Sequence, residues 1–141
     1  MRILVLGQQG QLARSLVEAA GSRKLSLFAI GRPELDLRNR SSIEKAISRF
    51  NPEILVNTAA YTAVDQAESE PEIAFAINQD GARNAALAAR TAQIPIIHIS
   101  TDYVFDGRSP DPYRECDPPR PLNVYGRLQA AGRIRRGGNK S

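Results

Sequence analysis

A second cysteine is missing from this 141-residue chain, so Cys116 can form no internal disulfide. A reducing compartment is the simpler expectation, and the chain reads as cytoplasmic. Long apolar runs are missing too. The opening MRILVLGQQG carries one basic residue and five apolar ones, too short for a signal peptide or a membrane span. No membrane partner is expected. Acid is missing from residues 126–141, which hold Arg127, Arg133, Arg135, Arg136 and Lys140. The preceding 125 residues carry 14 basic and 15 acidic side chains, so the net charge of +4 belongs to the end of the chain. Nucleic-acid recognition needs a cationic stripe on a folded face. No nucleic-acid partner is expected, and residues 127–141 read as a basic, disordered tail.

What is present suits one soluble domain, with 42% hydrophobic residues. Strand-length apolar runs alternate with helix-period segments. RILVLG (2–7), KLSLFAIG (24–31), PEILVN (52–57) and PIIHIS (95–100) read as buried strands. Between the first two, Leu12, Leu16 and Ala19 recur at helical spacing up to Gly21. After the second, Ser41 with Glu44 has the form of a capping box ahead of Ile43, Ile47 and Phe50. After the third, Ser69 as N-cap and Pro71 in the first turn open a long helix through Ile73, Ala76, Ile77, Ala85 and Leu87. Strand and helix in alternation predict an α/β fold, a Rossmann-like doubly wound parallel sheet with right-handed crossovers. Ligands bind beyond the carboxyl ends of such strands.

The chemistry-bearing residues lie at those ends. GQQGQLA (7–13) places Gly7 at a tight turn, Gly10 where backbone can approach a diphosphate, and Ala13 where helix and strand pack closely. This spacing is weak by itself, but its position between a strand and a helix is the context a dinucleotide site requires. The second strand ends in Gly31 and Arg32. A dinucleotide site that prefers NAD offers an acid there, whereas an arginine accommodates a 2′-phosphate. NADPH is therefore the expected cofactor, with NADH left open, and Asp36 and Leu37 are placed to flank the adenine.

At the third and fourth strand ends, NTAAYTAVDQAESEPEIAFAIN, ISTDYVFDG and PLNVYG resemble the dTDP-4-dehydrorhamnose reductases of the extended short-chain dehydrogenase/reductase superfamily. The resemblance runs from Met1 to about Gly126. It implies NAD(P)H-dependent reduction of the 4-keto group of dTDP-6-deoxy-L-lyxo-4-hexulose to dTDP-L-rhamnose. The implied partners are a dTDP-4-keto sugar nucleotide and, in the full-length form, a second copy of the chain in a homodimer. Mg²⁺ is implied for the full-length family through later residues, so no metal site is expected here. Carried over, Gly10, Gln11 and Leu12 contact the cofactor diphosphate, and Asp36 and Leu37 the adenosine side. Ala59, Ala60, Tyr61 and Thr62 contact the central ribose region. Thr101 and Asp102 lie against the sugar, with Thr101 bonded to the reacting oxygen, and Tyr125 is both proton donor and a cofactor contact. Phenol donation to the oxygen of a carbonyl receiving hydride is sound chemistry. His98 and Cys116 read as structural.

The superfamily pattern departs at one point. A lysine belongs one helical turn after the tyrosine, where its charge lowers the phenol pKa, and this chain has Gln129. Leu128 and Arg133 stand where the pattern has Ser or Thr and Glu. A synonymous choice of codons read one base later restores Ser-Lys and Gly-Glu in place, so a frameshifted reading of a reductase gene at or just after Gly126 is expected. Residues 1–126 then form a truncated NAD(P)-binding domain lacking the carboxyl-terminal substrate lobe, inactive as it stands. A non-catalytic, nucleotide-binding regulatory subunit is the alternative.

Overall fold

The computed structural model describes residues 1–23, 25–60 and 71–132. Strands β1 (Arg2–Leu6), β2 (Ser26–Ile30), β3 (Ile54–Asn57) and β4 (Ile96–His98) form a parallel sheet in the order β2-β1-β3-β4. β1 and β3 are inner strands buried on both faces, which is why their sequences run apolar without alternation. Register lines up Phe28, Leu4, Leu55 and Ile96 in one row and Ala29, Val5, Val56 and Ile97 in the next. Leu4, Leu6 and Leu55 point to one face, where they meet Ile43, Ile47, Ala85 and Ala88. Val5 and Val56 point to the other, against Ala13.

Helix α1 (Gln11–Ser22) covers that second face through Ala13 and Ala20, with Leu16 partly buried. This corrects the stripe read from sequence: Leu12 and Ala19 are exposed. Ala13 at the contact lets helix and sheet approach closely, and the helix is turned so that Leu12 and Ala19 face away. Helix α2 (Arg40–Phe50) is capped by Asn39, whose side chain accepts from the Ser41 N–H at 3.0 Å. The box expected from Ser41 and Glu44 does not form, because Glu44 pairs with Arg40 at 2.7 Å.

The long helix has three parts. α3 (Pro71–Phe75) leads into a π-helical turn (Ala76–Gly81), and α4 (Ala82–Thr91) follows. Ile73 is exposed and Ala74 takes the buried place. The cap expected at Ser69 lies outside the described residues. A 3₁₀ turn (Asp102–Val104) follows β4, and α5 (Val124–Gly132) ends the described chain. The domain boundary expected at 126 thus falls inside a helix, and residues 133–141 lie outside the described part. Among the described residues no helix is long and apolar enough to cross a membrane.

Candidate functional site

Three strand ends open into one cleft of about 630 Å³, lined by Gly7 to Gly10, Gly31 to Pro33, Leu35 to Arg38, Thr58 to Ala60, and Ile77. Gly7 turns the chain out of β1 at φ +105°, a conformation that side chains resist, and a Cβ there would lie 3.0 Å from Thr58 Oγ1. Gly10 is the N-cap of α1 in extended conformation, with no side-chain cap on the helix N-terminus, and a Cβ at Gly10 would meet nothing within 4 Å. The start of α1 therefore opens at Gly10 onto the cleft without a side-chain cap, the kind of helix start that accepts phosphate oxygens. Two side chains brace it: Thr58 Oγ1 donates to Leu6 O at 3.0 Å, and Gln8 Nε2 donates to Arg32 O at 3.2 Å.

One end of the cleft is charged. Arg38 grips both carboxylate oxygens of Asp36, with Nη2 to Oδ2 at 2.6 Å. The hydrogen bonds from the Arg38 side chain hold the Asp36 carboxyl below its usual range, helped by the Arg38 N–H and the charge of Arg32, with partial burial acting against them. The acid is thus largely neutralised by its own neighbour.

The other chemistry gathers just past β4. Tyr125 on α5 is 9% exposed and shares a side-chain hydrogen bond with Thr101. Thr101 Oγ1 in turn donates to Asp102 Oδ1 at 3.1 Å. Burial pushes the Tyr125 phenol above its ordinary value; the Thr101 bond pulls the other way, and the charge of Asp102 adds to the rise. Gly126 makes this placement fit. A Cβ there would run into the Tyr103 carbonyl and lie 2.9 Å from Pro121 Cβ, while the Gly126 N–H donates to Asn123 Oδ1 at 2.7 Å. One helical turn on, Gln129 is 2% exposed, and its Oε1 has no partner among the described residues. Buried Asn57 bonds the His98 Nδ1 at 3.2 Å and accepts from the Ala59 N–H at 3.2 Å, tying β3 and β4 to the loop after β3.

Gly7, Gly10, Gly31, Arg32, Asp36, Leu37, Ala59 and Ala60 therefore come together on one cleft. Gln11 and Leu12 sit exposed on the first turn of α1 outside its lining. Thr101 and Tyr125 pair beside β4, and Asp102 lines a separate hollow of about 370 Å³ with Tyr103 and Leu122. Tyr61 and Thr62 lie outside the described residues. Cys116 is exposed. Among the described residues no three His, Cys, Asp or Glu side chains cluster as metal ligands. Sequence reading missed Gln8, Arg38, Ile77 and Asn84. Arg38, two residues after Asp36, was the one with a visible signal.

A parallel sheet with a glycine turn after its first strand, a helix N-terminus at that turn and a cleft across three strand ends defines a Rossmann-like protein. The chain belongs to the family described as RmlD substrate binding domain, whose model matches residues 1–134. It is 48% identical over 132 residues to the dTDP-4-dehydrorhamnose reductase of Sinorhizobium fredii, covering 94% of this chain and 44% of that protein. It is 42% identical to the reductase of Streptomyces griseus, covering 93% of this chain and 43% of that one. A Bacillus anthracis dTDP-4-dehydrorhamnose reductase solved in complex with NADP superposes with a TM-score of 0.88 at 38% identity, over 93% of this chain and 47% of that one. The chain spans a little under half the length of the relatives it matches.

Proposed function

We propose that this chain is the dinucleotide-binding part of an NADPH-dependent reductase acting on a dTDP-4-keto sugar nucleotide, and that the chain as given turns over little or none of it. The convergence of three strand ends on a glycine-lined cleft supports this reading most strongly, and the Tyr125–Thr101 pair past β4 adds to it. The cleft suits the cofactor: Gly7 makes the tight turn, Gly10 leaves the start of α1 open, and Arg32 on the cleft wall is the cation a 2′-phosphate would meet. Backbone N–H groups at the start of α1 would hold the diphosphate, Asp36 and Leu37 the adenosine, and Ala59 and Ala60 the central ribose. When bound, NADPH supplies hydride.

The chain's own residues would do the rest. Tyr125 Oη donates a proton to the oxygen of the reduced carbonyl, and Thr101 Oγ1 holds that oxygen in line. Asp102, which lines the hollow past β4, would meet the sugar. Position 129 limits the chemistry, because a neutral carboxamide can bond a ribose hydroxyl but cannot favour the phenolate. The carried-over pairing of a tyrosine with a cation is thereby lost, at a cost on the order of 10²- to 10⁴-fold in rate. NADPH fluorescence titration tests the binding half of the proposal: saturable binding supports it, and no binding refutes it. A turnover assay with the 4-keto sugar nucleotide tests the other half, where robust reduction by the unaltered chain would overturn the assigned role of Gln129.

A further inference from the structure

The wall that carries Asp36, Leu37 and Arg38 is a loop between β2 and α2, and its conformation has to be fixed from outside. Ser42 Oγ accepts from the Asp36 N–H at 3.1 Å, which secures the start of the segment. Its end is held from a different layer. Asn84 Nδ2, on α4, donates to Leu37 O at 3.0 Å and to Arg38 O at 3.2 Å. Gly81, nearly one turn earlier at the end of the π-helical stretch, lies so close to the same loop that a Cβ would fall 2.9 Å from Leu37 Cβ. Leu37 is 6% exposed, yet it lines the cleft, so what touches it from behind decides how far it projects in front. The π turn also brings Ile77 to the cleft itself. π-helical turns recur at functional sites, where the extra backbone width re-aims side chains.

We infer that Gly81 and Asn84 are positioning residues for the adenosine end of the cleft, setting the depth of the Leu37–Arg38 backbone against the nucleoside of a bound dinucleotide. The inference rests on the reading that the cleft takes such a ligand. Gly81 gives the loop room to sit back, and the two Asn84 hydrogen bonds draw it there. The two residues act together: without the bonds the loop drifts into the cleft, and with a methyl at position 81 it is pushed there.

Amide hydrogen exchange on the ligand-free chain, joined to NADPH titration, tests this. In Asn84→Ala, and in Asn84→Asp, which keeps the shape but cannot donate, exchange should quicken across residues 36–39 and stay unchanged across 85–90 of α4. NADPH affinity should fall about five- to tenfold, the effect of roughly one net hydrogen bond. Gly81→Ala should give the same pattern. The exposed Arg83→Ala, on the same helix turn, should change neither measurement. Unchanged exchange at 36–39, or equal quickening along α4, would overturn the positioning claim. Quickened exchange with undiminished NADPH affinity would overturn its link to the ligand. If the unaltered chain binds no NADPH, the proposed function fails, and the exchange pattern still decides whether these residues hold the loop.

Discussion

Replacing Gln129 by Lys tests whether position 129 governs the acid at Tyr125. The two residues sit one turn apart on α5, so their side chains start from Cβ atoms about 5–6 Å apart. If the lysine ammonium comes within about 5–6 Å of the phenolate oxygen, with an effective dielectric constant of about 20, the two attract by about 3 kcal/mol. That is about two pKa units for the tyrosine. In the unaltered chain burial holds Tyr125 above its ordinary value, and the neutral phenol is the form the fold favours. Its contribution to stability is complete below about pH 10 and is lost as the pH rises through the raised folded-state value. The assay is an ultraviolet titration of tyrosinate, with Tyr125→Phe subtracted to isolate this one residue. The difference signal should develop above about pH 10 in the unaltered chain and about two units earlier in Gln129→Lys. An unmoved midpoint in a folded Gln129→Lys chain would show that position 129 does not address the phenol.

Other outcomes follow from the same geometry. Arg32→Ala should narrow the preference for NADPH over NADH by weakening NADPH, and equal affinities in the unaltered chain would remove the argument for a 2′-phosphate site. Gly126→Ala should cost about 1–3 kcal/mol in a denaturant titration, the usual range for overpacking, because its methyl meets the Tyr103 carbonyl. It should also shift the Tyr125 titration by displacing the phenol from Thr101. Asp36, held down by Arg38, should stay ionised below the usual aspartate range of about 3.9. Its pairing contributes above that value and is lost as the pH falls through the depressed one. In Arg38→Ala, carboxyl-carbon NMR should find Asp36 titrating closer to the ordinary range.

Much of the fold was legible because its inner strands are buried on both faces and spell themselves out as unbroken apolar runs. The glycine turn was legible because only glycine accepts the backbone at position 7. The places where sequence reading failed share a cause: the deciding partner was distant or local in a way periodicity does not register. Leu12 and Ala19 fit a helical period as well as Ala13 and Ala20 do, and only the way the helix lies on the sheet decides which pair is buried. Ser41 and Glu44 have capping-box spacing, yet Asn39 two residues earlier caps the helix and Arg40 takes the glutamate. The π turn is invisible to a 3.6-residue pattern. Asn84 looked like an ordinary polar position among alanines, because the carbonyls it holds are 46 and 47 residues away in sequence.

The groups that place Tyr125 are uncharged: a bare glycine against a carbonyl, an asparagine side chain bonding one N–H, and a threonine hydroxyl. The wall of the cleft is the opposite, with Arg32, Asp36 and Arg38 gathered within one loop. Ionic strength therefore divides the site in two. Exposed charges lose much of their reach when the screening length shrinks from about 10 Å at 0.1 M salt to about 3 Å at 1 M. Packing against a carbonyl does not respond to salt at all. A salt series thus becomes a way of listening to one end of the cleft: ligand affinity that falls with added salt reports on the arginines, while the phenol keeps its place throughout.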